Sequence, residues 1–179
     1  MKKVIDLGCG TDKYSSSFGV DFRQVDGVDL AWDLNKELPE EHHGKYDEVY
    51  SKCVLDHLGN PLKFLKGCHK YLKEGGRLVL IIDNGDYWRY HFHLGNYHAK
   101  VWEVDCPDKP YTHHKMMFQM KHLTKLLGLL GFEMAVSEYF RDYKGILKGH
   151  IDYLLPKHLG CNMMRIECIK KKAKIKTAK

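Results

Sequence analysis

Val4-Ile5-Asp6-Leu7-Gly8-Cys9-Gly10 is the stretch that decides how this chain folds. Lys2 to Leu7 reads as a short buried strand, and Gly8-Cys9-Gly10 as the turn that ends it. Glycine there admits positive φ and lets a ligand approach the main chain closely. An apolar strand feeding a Gly-x-Gly turn opens a nucleotide-binding α/β domain, with the ligand at the strand's carboxyl end. Which nucleotide is the question the rest of the chain must answer.

Working outward, Thr11 to Ser17 is polar and turn-like, and Phe18-Gly19-Val20-Asp21-Phe22 reads as a second strand. So short a link leaves room for only a reduced first helix, because a full crossover needs about a dozen residues. Val28 to Asp33 is a third strand candidate, Leu34 to Gly44 a surface loop, and Tyr46 to Ser51 a fourth strand. Cys53 to Leu58 is a short turn-helix carrying Asp56 and His57. Asn60-Pro61 starts a helix with proline in its first turn, as helices prefer. Apolar residues from Leu62 to Leu72 recur at helical spacing, and Glu74-Gly75-Gly76 is expected to stop it. Arg77 to Asp83 is a continuous apolar run, the pattern of a central parallel strand.

From Asn84 to about Met117 the periodicity breaks into tyrosines, tryptophans and histidines with Pro107 and Pro110. A stretch that long without a pattern reads as a lid or acceptor-binding insert, residues 84–117. A leucine helix over Met120 to Leu130, a strand over Phe132 to Tyr139, an ambiguous segment from Arg141 to Leu159 and a last strand from Asn162 to Ile169 complete the chain. Residues 1–169 therefore read as one domain and 170–179 as a basic, disordered tail.

Composition narrows the classes. At 179 residues, 44% hydrophobic and 29% charged, the chain suits one soluble globular domain. No apolar run approaches the ~20 residues of a membrane span, so no membrane partner is expected. The Met-Lys-Lys start lacks the apolar core of a signal peptide, and a cytoplasmic location is expected. The net charge of +6 is concentrated in the lysines of the last ten residues, which argues against a basic binding face elsewhere. The six cysteines include no Cys-x-x-Cys pair and read as reduced, small hydrophobic side chains.

A P-loop needs Gly-Lys-Ser/Thr, which is absent, and a dinucleotide fold needs a third glycine where this chain has Lys13. What survives is a ligand without phosphates, held by close backbone approach and carboxylates. At these residues the chain resembles class I S-adenosylmethionine-dependent methyltransferases, in particular the type 11 group. Val4 to Gly10 is similar to motif I, and Phe18-Gly19-Val20-Asp21 to the second strand with its ribose-binding acid. Trp32-Asp33-Leu34 resembles the adenine-lining segment. Tyr46 to Ser51 with Val54-Leu55-Asp56-His57-Leu58 resembles the fourth strand and its "LEHL"-type turn. Leu72 to Leu78 and, later, His113-His114 with Phe118 and Gly131-Phe132 follow in the group's order. Asp12 departs from the glycine common after motif I.

The resemblance implies an α/β, Rossmann-like fold. Its sheet is seven-stranded and mostly parallel, with helices on both faces, the last strand antiparallel and shortened first crossovers. It implies S-adenosyl-L-methionine as cofactor, bound by Asp6, Gly8, Cys9, Gly10, Asp21, Asp33, Leu34 and Ser51. Some of these have plainer readings: Asp29 competes with Asp33 for register, and Ser51 could simply end a strand. Methyl transfer to oxygen benefits from a base near neutrality, which histidine supplies. His57 is the first catalytic candidate, with a helix-capping role as its rival, and His113 the second, with His114 beside it. The imidazoles from His91 to His114 with Asp105 and Cys106 have no recognised ligand spacing, so no metal is expected.

The acceptor is narrowed by exclusion. Base-amino methylation calls for a polar-Pro-Pro-aromatic motif, where this chain reads Ser51-Lys52-Cys53-Val54. A small molecule or glycan precursor methylated at oxygen is expected, with nucleic acid disfavoured. Two readings stay open beside it: an RNA- or protein-directed enzyme that docks through the lysine tail, and a catalytically silent binding protein.

Overall fold

The computed structural model describes residues 2–91, 114–142 and 150–172. Its strands are β1 (Val4–Leu7), β2 (Phe18–Asp21), β3 (Leu30–Ala31), β4 (Tyr46–Lys52), β5 (Leu72–Asp83), β6 (Phe132–Phe140) and β7 (Met163–Lys170). They form one sheet in the order β3-β2-β1-β4-β5-β7-β6. The pairs from β3 through β5 are parallel, and β7 runs antiparallel to both of its neighbours. This is the expected Rossmann-like sheet, with its last strand reversed.

The first crossovers are shorter still than the sequence suggests. Residues 8–17 and 22–29 join parallel strands with no helix between them. The link from β1 to β2 turns on Gly8 and Gly10, with φ of 85° and 53°. Gly8 and Cys9 both donate their backbone N–H to Val20 O, at 2.7 and 3.1 Å, so the turn folds directly onto β2.

The helix α1 (Pro61–Tyr71) begins where Asn60 Oδ1 accepts from Lys63 N and proline occupies the first turn. It ends earlier than expected. Leu72 already has extended backbone and pairs with Tyr46, and Gly75 at φ 77° carries a bulge before Arg77 resumes the ladder opposite Glu48. The residues read as a helix stop are thus an irregular start to β5. A short α2 (Trp88–His91) follows, and α3 (Met120–Leu129) packs against β6. In the segment that carried no periodic signal, two short helices form, α4 (His150–Leu154) and α5 (Lys157–Gly160).

The core closes around the central strands. Ile5, Leu7, Val20, Val49, Leu78, Leu80, Ile82, Met164 and Ile166 meet Leu65 and Cys68 of α1 and Leu123 and Leu127 of α3, all nearly fully buried. Full burial of such side chains contributes about 1.5–3 kcal/mol each. Among the described cysteines none is bonded to another, and Cys9, Cys68, Cys161 and Cys168 are buried as small hydrophobic groups. Among the described residues no helix is long and apolar enough to cross a membrane.

Candidate functional site

At the carboxyl ends of β1, β2 and β4 lies a cavity of about 580 Å³. Its wall includes Gly8 from the first turn, Asp21, Phe22 and Arg23 from the end of β2, and Trp32, Asp33, Leu34 and Asn35 after β3. Cys53, Val54, His57 and Leu58 close it from the turn after β4, and Lys115 from the chain that resumes at His114. The position follows from topology: β1 and β2 lie on one side of the switch and β4 on the other.

Each acid here is shaped by its local backbone. Asp21 accepts from Gly10 N at 3.0 Å, Arg23 N at 3.0 Å and Arg23 Nε at 3.2 Å. Asp33 accepts from Asn35 N and Nδ2, which hold its carboxyl below the usual range. Asn35 Oδ1 in turn accepts from Gly59 N, tying this loop to the entrance of α1. Asp29, the rival for that role, is engaged elsewhere, by Gly19 N and Lys13 Nζ. Asp6 is buried behind the turn and accepts from Tyr14 N at 2.8 Å; burial pushes its carboxyl up to about 6.

Cys9, Gly10 and Ser51, also expected at the cofactor, stand behind the cavity rather than on its wall. Cys9 is buried, and burial pushes its thiol up to about 11. Gly10 acts through its N–H on Asp21. Ser51 is buried and donates its hydroxyl to Leu7 O at 2.9 Å, which couples the ends of β1 and β4. Gly8 has a steric reason for its identity: a Cβ there would lie 2.1 Å from Val54 Cγ2. The left-handed Cys53, φ 53°, turns the chain at the end of β4 so that Val54 and His57 face the cavity.

Beyond Val54 the wall joins a second cluster. His57 and His114 pack edge to face with ring centroids 4.6 Å apart. His114 Nε2 lies 3.1 Å from both Asp56 Oδ2 and Asp83 Oδ2, and His57 Nε2 lies 3.8 Å from Asp56 Oδ2. Burial, reinforced by the neighbouring Asp56, pushes the Asp83 carboxyl up to about 7. The backbone locks this arrangement, since Lys115 N and Met116 N donate to Asp56 O at 2.7 and 3.2 Å. His113 lies outside the described residues, as do most of the insert and the end of the lysine tail.

Asp83, Arg23, Asn35 and Lys115 were not marked by sequence reasoning. Asp83 had a usable signal, as the acid that ends the central apolar run on the ligand-binding edge. Arg23 and Lys115 had none, because each reaches the cavity from a link without periodicity.

The wall combines apolar surface (Phe22, Trp32, Leu34, Val54, Leu58) with two carboxylates, and its cations stand beside those acids. Trp32 Nε1 is buried without a hydrogen-bond partner among the described residues. Such a lining suits a heterocycle with hydroxyl and amine donors better than a phosphate chain.

Comparison with known proteins agrees with that chemistry. A family model described as methyltransferase domain matches residues 1–138. The ubiquinone biosynthesis O-methyltransferase of Xanthomonas oryzae pv. oryzae is 29% identical over 99 residues, covering 44% of this chain and 41% of the relative. That of Bordetella pertussis is 31% identical over 96 residues, covering 42% and 40%. The chain therefore spans about 41% of the length of these curated relatives. A SAM-dependent methyltransferase from Archaeoglobus fulgidus superposes with a TM-score of 0.65 at 17% identity, covering 94% of this chain and 86% of its own. One from Mesorhizobium loti does so at 0.63 and 16%, covering 94% and 90%. At such identities the likeness is one of fold.

Proposed function

This chain belongs to the methyltransferase-domain family and takes S-adenosylmethionine as its cofactor, and from that premise we propose that it methylates a small-molecule acceptor at oxygen. The observation that carries the reading is the cavity itself, where Gly8, Asp21, Asp33 and His57 come together from four separate links.

The residues fit the cofactor's parts. Asp21 is placed for the ribose hydroxyls, with Gly10 N and Arg23 N fixing its carboxylate. Trp32 and Leu34 offer apolar surface to the adenine, and Asp33, on the same wall, offers an acceptor to its exocyclic amine. Gly8 keeps the turn low enough for close approach, while buried Asp6 orients it through Tyr14 N. The bound cofactor supplies an electrophilic methyl on a sulfonium centre.

What the chain must add is alignment and a place for the acceptor's proton. Among the described residues His57 is the imidazole that lines the cavity, so its ring is the group we set against the acceptor hydroxyl. Asp56 and His114 hold that ring in position from behind. The small-molecule acceptor and the oxygen target draw support from the ubiquinone biosynthesis O-methyltransferases, although the alignment reaches less than half of either protein.

The test is release of S-adenosylhomocysteine when the full chain meets S-adenosylmethionine and a panel of hydroxylated aromatics and sugars. His57→Ala should lower turnover by about 10²–10⁴-fold with cofactor affinity unchanged. Equal turnover in the variant would remove His57 from the chemistry. Methylation of RNA or protein in place of the panel would contradict the acceptor class.

A further inference from the structure

The cluster behind His57 holds more than a base requires. It gathers two carboxylates and two imidazoles from three distant parts of the chain. Asp56 and His57 come from the turn after β4, Asp83 from the end of β5, and His114 from the chain before α3. We propose that Asp56, His57 and His114, with Asp83 alongside, form a binding site for a divalent first-row transition ion of the zinc type.

The first argument is spacing. Ligand atoms bound at about 2.0–2.2 Å around one such ion stand roughly 3–4 Å from each other. Here His114 Nε2 is 3.1 Å from Asp56 Oδ2 and 3.1 Å from Asp83 Oδ2, and His57 Nε2 is 3.8 Å from Asp56 Oδ2. One ligand atom from each of Asp56, His57 and His114 falls within 4.8 Å of the other two.

The second argument is an unmet need. Asp56 is 1% exposed, yet neither of its carboxylate oxygens has a hydrogen-bond partner among the described residues. His114 Nε2 and His57 Nε2 lie 3.1 and 3.8 Å from its Oδ2. Buried charges of this sort are paired or coordinate metals, and an ion would satisfy both oxygens and both rings at once. The plainer arrangement, a charged His114 clamped between two acids, leaves Asp56 Oδ1 without a partner.

The third argument is ligand type. Imidazole with carboxylate suits zinc, manganese or iron, whereas calcium and magnesium favour all-oxygen shells. The backbone bonds from Lys115 and Met116 to Asp56 O hold the His114 segment in place before any ion arrives. The imidazole-rich spacing considered from sequence did not suggest this set, because Asp56 and Asp83 both lie outside that stretch, before His91.

The inference deepens the proposed function and rests on it in one respect: an ion held through His57, the cluster residue that lines the cavity, would polarise an acceptor oxygen beside it. In the loaded protein His57 would serve as a ligand, and the cation would lower the pKa of the acceptor hydroxyl so that its proton leaves to water instead of to the His57 ring. The binding site itself is testable without any acceptor.

The full chain is stripped with EDTA, dialysed, and titrated with Zn²⁺ by calorimetry and with Co²⁺ by visible absorption. The expected result is one equivalent of either ion, with a cobalt spectrum free of thiolate charge-transfer bands. Asp56→Asn and His114→Gln should each weaken binding by about tenfold or more, while His93→Gln/His98→Gln binds like the parent. Circular dichroism checks each variant, and His114→Gln decides the matter if Asp56→Asn does not fold. No bound ion, unchanged affinity in the cluster variants, or thiolate bands in the cobalt spectrum would overturn the site. Magnesium displacing zinc at equal concentration would overturn the ligand assignment. An ion bound without methyl transfer would count against the acceptor reading alone, and transfer without an ion against this site alone.

Discussion

Two groups of acids face the same region of this molecule and are satisfied in opposite ways. Asp21 and Asp33, on the cavity wall, accept from backbone N–H groups only 2 or 11 residues away in sequence. Asp56 and Asp83, behind His57, have His114 as their shared partner, more than thirty residues from Asp83. The first group is preorganised by local chain geometry and needs no further partner to fold. The second is assembled only when three distant links meet, and it retains buried polar atoms without hydrogen bonds among the described residues. Local backbone satisfaction gives a preorganised cavity wall, whereas the acids behind it depend on side chains brought from distant links.

Gly8→Ala is the severest way to break the recognition wall. The new Cβ meets a Val54 methyl at 2.1 Å and the position has φ 85°, so about 2–4 kcal/mol of stability should be lost. Urea denaturation measures it, and Val54→Ala in the same chain should recover part of the loss. A variant as stable as the parent would mean that the turn is looser than the structure places it.

Asp6 sharpens the comparison through pH. Its folded carboxyl titrates at about 6, above its value of 3.8 in the unfolded chain, because burial outweighs its one backbone N–H bond. The folded state thus holds this proton more tightly, so its contribution is full below pH 3.8 and is lost as pH rises through 6. The difference corresponds to about 2–3 kcal/mol. Asp6→Asn should flatten the decline in stability between pH 4 and pH 7, read as urea midpoints. Parallel curves for parent and variant would show that Asp6 ionises freely.

Much of the recognition wall was legible in the sequence because it is local. A strand, a glycine turn and an acid at the next strand's end are fixed by residues within about twenty positions of each other, and Gly8, Asp21 and Asp33 fall on the wall. The ribbon from Leu72 to Gly76 was misread because glycines that can end a helix can also carry a bulge, and strand pairing to Tyr46 decided between them. The segment from Arg141 to Leu159 gave no period. Its helix α4 is held by Asp152, which accepts from Tyr87 Oη at 3.0 Å and from Trp88 Nε1, groups more than sixty residues away. The cluster of Asp56, Asp83 and His114 was hidden for the same reason, since no spacing encodes a meeting of three distant parts of the chain.

The most direct test of the account is calorimetric titration of the full chain and of Asp21→Ala with S-adenosylhomocysteine. The account predicts one site in the parent, with affinity reduced in the variant by about 1–3 kcal/mol, the cost of leaving ribose hydroxyls unpaired. Failure of the parent chain to bind at millimolar ligand, or equal affinity in both chains, would contradict it.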